Sequence, residues 1–131
     1  MLKTVNNFWK DRNVLITGGT GLLGSELTSQ LVDLGANNIL IVRDRAFRSP
    51  VFKAGLLDKV NSVFGDVTDF ALVLRALNEY EIDTVFHLVA RTIVGIANLS
   101  PLSTFDSNIR GTWNVLEAAR LSHRIRSVVV A

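Results

Sequence analysis

The residues with the clearest chemical meaning are glycines that follow the first apolar run of the chain. Gly19, Gly21 and Gly24 fit the spacing G-x-G-x-x-G, and Gly18, Gly21 and Gly24 fit the wider G-x-x-G-x-x-G. One such glycine permits the sharp turn from strand to helix, one lets the backbone approach a pyrophosphate, and one allows close helix packing. The N-terminus of the helix then offers free N–H groups to the anion. The motif predicts a dinucleotide site, and the alternative is a glycine-rich turn without a ligand.

The end of the second apolar run carries the charged residues Arg43 and Asp44. An acidic residue about twenty positions after the last glycine binds the adenosine ribose and selects NAD, whereas an arginine pairs with the 2′-phosphate of NADP. Asp44 has nearly that spacing, but Arg43 lies at the strand end, and its guanidinium suits bidentate phosphate binding. The pair therefore favours NADP over NAD, and a solvated charged turn remains the other interpretation.

Five short apolar runs, each bounded by turn or capping residues, are typical of strands. Most of them are continuously apolar, as expected for a parallel sheet that is covered on both faces. The runs comprise residues 14–16, 39–42, 60–64, 84–88 and 127–131.

Helical patterns separate these runs. Gly35 is a suitable C-terminal cap for the first helix, and Asp69 is a suitable N-cap for the second. Ser100 and Pro101 form a cap and first-turn pair for a longer third helix. Residues 43–59 lack a pattern and are expected to form a surface loop with a short helical turn. The apolar positions at helical spacing are Leu22, Leu23, Leu27, Leu31 and Leu34 in the first helix, and Leu102, Phe105, Ile109, Trp113 and Leu116 in the third.

The alternation of strands and helices predicts one α/β domain over residues 1–131, with a doubly wound parallel sheet. Right-handed crossovers give the strand order 3-2-1-4-5. The chain stops at its fifth strand, on the apolar residues 128–131. We therefore expect a domain that is truncated after this strand, the N-terminal part of a longer protein.

The composition excludes several classes of function. The 131 residues include 48% hydrophobic and 20% charged residues, as in a globular domain, and no cysteine, which excludes disulfides and thiolate sites. The net charge of +2 is small and the basic residues are scattered along the chain, so no nucleic-acid partner is expected. No apolar run approaches the roughly 20 residues that span a bilayer. We expect a cytoplasmic protein without a membrane partner or a metal site.

Four stretches resemble the extended short-chain dehydrogenases/reductases, the family of NAD-dependent nucleotide-sugar epimerases and dehydratases. The resemblance implies a Rossmann fold and, in the complete enzyme, oxidation of a hexose at C4 by hydride transfer to NAD(P). The opening residues 8–10 and the second and third stretches are most similar to CDP-glucose 4,6-dehydratases. The stretches are VLITGGTGLLG at 14–24, GDVTD at 65–69, VFHLVA at 85–90 and NIRGTWN at 108–114.

The resemblance also implies a set of cofactor contacts. The Asp66 carboxylate would accept a hydrogen bond from the adenine amine, and the alternative is a helix cap, a role that Asp69 can fill alone. Asn108 would approach the cofactor, since asparagine is unfavourable inside a helix without a specific hydrogen bond. The implied cofactor-binding residues are Gly18, Thr20, Gly21, Leu22, Leu23, Gly24, Arg43, Asp44, Asp66, Val67, Leu88, Val89, Ala90 and Asn108.

The fourth apolar run contains His87, for which a hydrogen-bonded core position is the expected role. In the family that this chain resembles, the backbone after this histidine passes beside the cofactor, so Val89 and Ala90 would line the site. Val89 replaces the usual alanine. Arg91 would lie near the mouth of the site, where substrate contact and a plain surface role are both open.

The family's chemistry uses a Tyr-x-x-x-Lys pair, which this chain does not contain. Tyr80 is the only tyrosine, Thr84 stands four residues later, and no lysine follows Lys59. We therefore assign no catalytic residue and expect no turnover from this chain. Two functions remain open: the NAD(P)-binding portion of a nucleotide-sugar epimerase or dehydratase, or a non-catalytic NADP(H)-binding regulatory or interaction module. The third helix resembles the family's dimer-bundle helix, which predicts self-association or a homodimer.

Overall fold

The computed structural model describes residues 7–43, 55–89 and 101–131. The sequence-predicted residues Asp44, Ala90, Arg91 and Ser100 lie outside these ranges. Strands and helices alternate along the described part of the chain. The elements are β1 (Asn13–Thr17), α1 (Leu22–Asp33), β2 (Asn37–Val42), a 3-10 turn (Leu57–Lys59), β3 (Asn61–Phe64), α2 (Phe70–Glu79), β4 (Thr84–His87), α3 (Pro101–Phe105), a π-helical segment (Asp106–Arg110), α4 (Gly111–Leu121) and β5 (Ser127–Val130).

The five strands form one parallel sheet in the order β3-β2-β1-β4-β5. The predicted doubly wound fold and its strand order are confirmed. β1 lies at the centre, where Leu15 is in register with Ile39 of β2 and Val85 of β4. Because all strands run in the same direction, their carboxyl ends meet at one edge of the sheet. Open α/β sheets bind their ligands outside that edge.

Each central strand contributes side chains to two separate apolar layers, because successive residues point to opposite faces. Leu15 packs with Val73 of α2 and Val115 of α4 on one face. Ile16 packs with Leu31 of α1 on the other face. The result is a three-layer sandwich in which the central strands are covered on both sides, as the continuously apolar runs indicate.

Two of the three predicted helix caps belong to the described residues, and both lie where the sequence places them. Asp69 is the N-cap of α2, and its carboxylate accepts a hydrogen bond from the backbone N–H of Leu72 at 3.2 Å. Such a cap contributes about 1 kcal/mol to stability. Gly35 follows α1 with a φ of +83°, a conformation that favours glycine. These caps define where the helices that flank the sheet begin and end.

The leucine spacing of α1 correctly predicts the buried Leu31 but not the exposure of the first helical turn. Leu22 and Leu23 are 78% and 62% exposed. α1 begins so close to the backbone of the preceding turn that only small side chains fit between the helix and the turn. The Thr28 hydroxyl is satisfied there by donating to the carbonyl oxygen of Gly24 at 2.6 Å. The buried residues of α1 are Gly24, Ser25, Thr28 and Leu31.

The predicted third helix contains a π-helical turn, Asp106–Arg110, between α3 and α4. For Trp113 and Leu116 the sequence predicts a contact either in the core or in a helix bundle; the core is ruled out, because these side chains are 55% and 46% exposed, and the bundle contact stays a prediction. The residues that α4 buries are smaller, among them Val115 and Ala118. The exposed apolar residues of this helical stretch, called here the apolar stripe, are Leu102, Phe105, Ile109, Trp113 and Leu116.

Candidate functional site

A cleft of about 200 Å³ opens at the carboxyl edge of the sheet. Its walls come from the ends of β1 and β2, the turns after β1 and β3, the segment after β4, and the π-helical segment. The sequence-predicted residues that line it are Gly18, Thr20, Arg43, Asp66, Val67 and Val89. The lining residues that sequence reasoning missed are Thr17, Ile41, Val42, Gly65 and Ser107.

The glycines of the turn after β1 differ in how much space surrounds them. Gly18 has a φ of +74°, and a Cβ built on it would lie 2.8 Å from the backbone nitrogen of Val89. A Cβ at Gly24 would collide with the carbonyl oxygen of Gly18. At Gly21 the nearest atom to an added Cβ is that same oxygen, at 3.4 Å. The fold therefore requires glycine at positions 18 and 24 but has room for a side chain at position 21.

The N-terminus of α1 opens toward this turn without a side-chain cap. Its N-cap is Gly21, and no acidic residue occupies the first helical turn. The first N–H groups of a helix lack partners within the helix and carry a partial positive charge. Because Leu22 and Leu23 extend into solvent, they leave the backbone of the first turn open. The arrangement can hold an anion such as a phosphate.

Arg43 and Asp66, predicted separately from the sequence, lie together at one end of the cleft. Nε of Arg43 is 3.4 Å from Oδ2 of Asp66. The other carboxylate oxygen, Oδ1, accepts a hydrogen bond from the backbone N–H of Thr68 at 3.0 Å. Since Asp69 caps α2, the helix-cap interpretation of Asp66 is wrong. Asp66 instead presents a carboxylate to the cleft.

The π-helical segment places Ser107 in the cleft, where this side chain is only 7% exposed. The helix is fixed beside it by two contacts with Val67. A Cβ at Gly111 would lie 2.7 Å from Cγ2 of Val67, so the helix backbone packs directly on that side chain. Asn114 donates from Nδ2 to the Val67 carbonyl oxygen at 3.0 Å. Asn108 is adjacent to Ser107, and its cofactor contact stays a prediction.

His87 is buried at the end of β4 and bridges two threonine hydroxyls. Its Nε2 lies 3.0 Å from Oγ1 of Thr112, and that hydroxyl donates its proton to the carbonyl oxygen of Asn108 at 2.7 Å. Thr112 must therefore accept a hydrogen bond from Nε2–H. The other ring nitrogen, Nδ1, lies 2.8 Å from Oγ1 of Thr17 and accepts from it. The contacts specify a neutral imidazole that carries its proton on Nε2.

The Thr17 hydroxyl connects this histidine to the strand end that lines the cleft. Its oxygen accepts hydrogen bonds from the backbone N–H groups of Leu88 at 3.1 Å and Val89 at 3.3 Å. It therefore has one proton to donate, and Nδ1 of His87 receives it. The chain of hydrogen bonds runs from the end of β4 through Thr17 and His87 to α4. Two walls of the cleft are joined by buried polar contacts.

The sequence model of the NAD dependent epimerase/dehydratase family matches residues 14–131. Among curated relatives, the chain is 32% identical to the CDP-glucose 4,6-dehydratase of Salmonella typhimurium over 128 residues, covering 94% of this chain and 34% of that protein. It is 31% identical to the UDP-glucose 4-epimerase of Halalkalibacterium halodurans, covering 88% and 33%. The resemblance identified from the sequence is thereby confirmed. The chain spans about a third of the length of these relatives.

The fold is shared with solved structures, among which two epimerases are similar to this chain. The epimerase Mth375 of Methanothermobacter thermautotrophicus superposes with a TM-score of 0.85 at 28% identity, covering 99% of this chain and 38% of that one. The UDP-glucose 4-epimerase of Brucella ovis, determined in complex with NAD, gives a TM-score of 0.76 at 26% identity, covering 91% and 35%. The fold of this chain is therefore similar to that of part of two longer epimerase chains.

We expect His87 to stay neutral in the folded chain as the pH falls below 6.5, because burial lowers its pKa from that ordinary value. In the unfolded chain His87 would bind a proton near pH 6.5. Its contribution to the free energy of unfolding should therefore be complete above that pH. It should decrease below it by up to about 1.4 kcal/mol per pH unit from this residue. Ring-nitrogen NMR between pH 7.5 and 5 measures the protonation state of His87. Protonation of folded His87 near pH 6.5, or a proton on Nδ1, would contradict the hydrogen-bond assignment.

Proposed function

Because the chain belongs to the NAD-dependent epimerase/dehydratase family, we propose that its cleft binds the dinucleotide of a nucleotide-sugar epimerase or dehydratase. The observation that carries this proposal is the glycine turn. Gly18 and Gly24 are required by backbone contacts, whereas the space over Gly21 is open beside an uncapped helix N-terminus. A turn of this kind suits the close approach of a pyrophosphate.

The dinucleotide would lie across the carboxyl edge of the sheet. Its pyrophosphate would meet the backbone of residues 20–24, including the N–H groups of Leu22 and Leu23 at the start of α1. Its adenine would lie beside Asp66 and Val67, where the carboxylate can accept from the exocyclic amine. Val89 and Ser107 line the cleft with these residues, and Ser107 would add a hydroxyl that the sequence did not suggest. Contacts from Leu88 and Asn108 stay predictions.

For the form of the cofactor, we propose NADP. The matched family is NAD-dependent, and the related Brucella ovis structure is a complex with NAD. In this chain, however, Arg43 follows the last residue of β2 and lines the cleft. A guanidinium at that position can pair with a 2′-phosphate. Asp44, the competing determinant for NAD, lies outside the described residues.

The chemistry would belong to a longer protein, since the chain spans about a third of its curated relatives. The residues of the cleft would hold a dinucleotide that supplies hydride transfer at C4 of the hexose; the hydride would return to the keto sugar after loss of water in a dehydratase, or directly in an epimerase. This chain would supply cofactor binding, and we expect no turnover from it alone. The alternative, a non-catalytic NADP(H)-binding module, uses the same cleft. A Tyr-x-x-x-Lys motif in a longer form of this chain would favour the enzyme.

For partners, we propose that a second copy of the chain covers the apolar stripe. Its five side chains follow one another at helical spacing and expose between 46% and 80% of their surface. Val129 and Val130, at the open edge of the sheet, are also exposed, whereas Val128 packs against the core. Within the described ranges, no helix has the length and apolar character that crossing a membrane requires. A cytoplasmic location stays a prediction from the sequence.

Replacement of Gly21 by valine should abolish dinucleotide binding while the chain remains folded. The φ of −76° at Gly21 is accessible to valine, and an added Cβ meets no atom closer than 3.4 Å. The valine methyl groups would occupy the space that the pyrophosphate needs. Calorimetric titration of NADP+ into both proteins measures the effect, and we expect a loss of affinity of a hundredfold or more, about 2.7 kcal/mol.

Gly24→Ala is the matched control for that experiment. Its methyl group would collide with the carbonyl oxygen of Gly18, so we expect a marked decrease in the midpoint of thermal unfolding. Gly21→Val should unfold close to the wild-type temperature. Undiminished NADP+ binding by folded Gly21→Val would refute the proposed pyrophosphate site.

The apolar stripe predicts self-association at micromolar concentration. Trp113→Glu should shift the protein toward monomer, because a charge at the centre of a buried apolar contact is costly. Leu121→Glu is the matched control, since Leu121 is 43% exposed but lies outside the stripe. Size-exclusion chromatography with light scattering measures the mass. A wild-type protein that is monomeric throughout this range would contradict the proposed homodimer.

A further inference from the structure

The ion pair between Arg43 and Asp66 joins the ends of two neighbouring strands. Arg43 follows β2 and Asp66 follows β3, and these strands pair directly, with Val42 in register with Phe64. The backbone holds Asp66, because Oδ1 accepts the N–H of Thr68 at 3.0 Å. Arg43 is the more mobile partner, because its side chain is long, flexible and 54% exposed. Its guanidinium is therefore directed by a carboxylate that has a fixed place in the cleft.

The contact uses one edge of the guanidinium. Nε of Arg43 lies 3.4 Å from Oδ2 of Asp66. A guanidinium has five N–H donors, and four of them belong to the two terminal nitrogens. These donors form the planar fork that binds a phosphate through two hydrogen bonds. An ion pair at Nε can therefore orient the arginine without consuming the donors that a phosphate needs.

We propose that Asp66 is a positioning residue for nucleotide selectivity, which holds Arg43 at Nε so that its terminal nitrogens meet the 2′-phosphate of NADP. This inference rests on the proposed dinucleotide site and extends it to a residue expected to contact only adenine. An arginine that is already oriented loses less side-chain entropy when phosphate binds. Asp66 then has two roles, one directly at the adenine and one through Arg43.

The two roles leave different signatures in binding experiments. Loss of an adenine contact weakens NAD+ and NADP+ equally, because both carry the same adenine. Loss of the support for Arg43 weakens NADP+ alone and lowers the ratio of the two affinities. A third possibility is that the Asp66 carboxylate repels the 2′-phosphate, in which case its removal would raise that ratio.

The test compares NAD+ and NADP+ affinities by calorimetry in Asp66→Asn, Arg43→Gln and the double variant. Asparagine keeps an oxygen for the Thr68 N–H but removes the charge that holds Nε. We expect Asp66→Asn to lower the NADP+/NAD+ affinity ratio by about two- to fivefold, because an exposed ion pair contributes little more. In the Arg43→Gln background the same change should leave the ratio unaltered. Asp58→Asn, an exposed aspartate on the 3-10 turn, is the matched control and should leave the ratio at the wild-type value.

Arg43→Lys provides a second variant that does not depend on the folding of Asp66→Asn. Lysine keeps the positive charge but has neither an Nε edge for Asp66 nor a planar fork for phosphate. We expect it to lose the NADP+ preference as Arg43→Gln does. A wild-type ratio in Arg43→Lys would overturn the inference, because simple charge attraction would then explain the preference.

The remaining outcomes are distinguishable. If Asp66→Asn weakens both dinucleotides equally, or raises the NADP+/NAD+ ratio, the positioning role is wrong while the dinucleotide site stands. If the wild-type protein prefers NAD+, Arg43 does not bind a 2′-phosphate and the inference fails together with the NADP assignment. If the wild-type protein binds neither dinucleotide, the proposed function itself fails.

Discussion

The backbone contacts around Gly18 are the constraint on which the rest of the site depends. Gly18 lies against the backbone of Leu88 and Val89, and Gly24 lies against Gly18 in turn. Neither position has space for a Cβ, and the positive φ at Gly18 adds strain for any other residue. These contacts fix the start of α1 over the strand ends. The uncapped N–H groups and the opening at Gly21 follow from that placement.

Buried hydrogen bonds hold the opposite wall of the cleft in register with the glycine turn. Thr17, His87 and Thr112 join β1 and β4 to α4, and Asn114 joins the same helix to Val67. Removing one partner would leave another buried polar group unsatisfied, at a cost of about 1–3 kcal/mol. The network therefore favours a single arrangement of the walls. A preformed cleft of this kind needs little reorganisation when a ligand binds.

The sequence was sufficient to predict the fold because the apolar runs and helix caps are local signals. The strand order followed from their alternation, and Asp69 was identified as a cap from its position before a helical pattern. The exposure of the first turn of α1 could not be predicted, because it depends on how closely Gly24 approaches Gly18. Apolar spacing alone therefore misplaced Leu22 and Leu23, which are exposed.

The candidate site was predictable where a residue acts through its type and position in a motif, as the glycines, Arg43 and Asp66 do. It was not predictable where tertiary packing decides. Ser107 enters the cleft because the helix has a π-helical turn, and a single sequence carries no clear signal for such a turn. The ion pair of Arg43 with Asp66 likewise depends on the pairing of β2 with β3.

The central claim is that a dinucleotide binds at the carboxyl edge of the sheet. Titration of the 15N-labelled protein with ADP-ribose, followed by two-dimensional NMR, tests it most directly. Binding there should shift the amide signals of residues 18–24 together with those of Asp66 and Val67. The opposite edge carries a wider polar depression of about 480 Å³, lined by residues that include Asn13, Asp83 and Arg126. Shifts confined to that opposite edge, with the signals of the glycine turn unchanged, would contradict dinucleotide binding at the carboxyl edge.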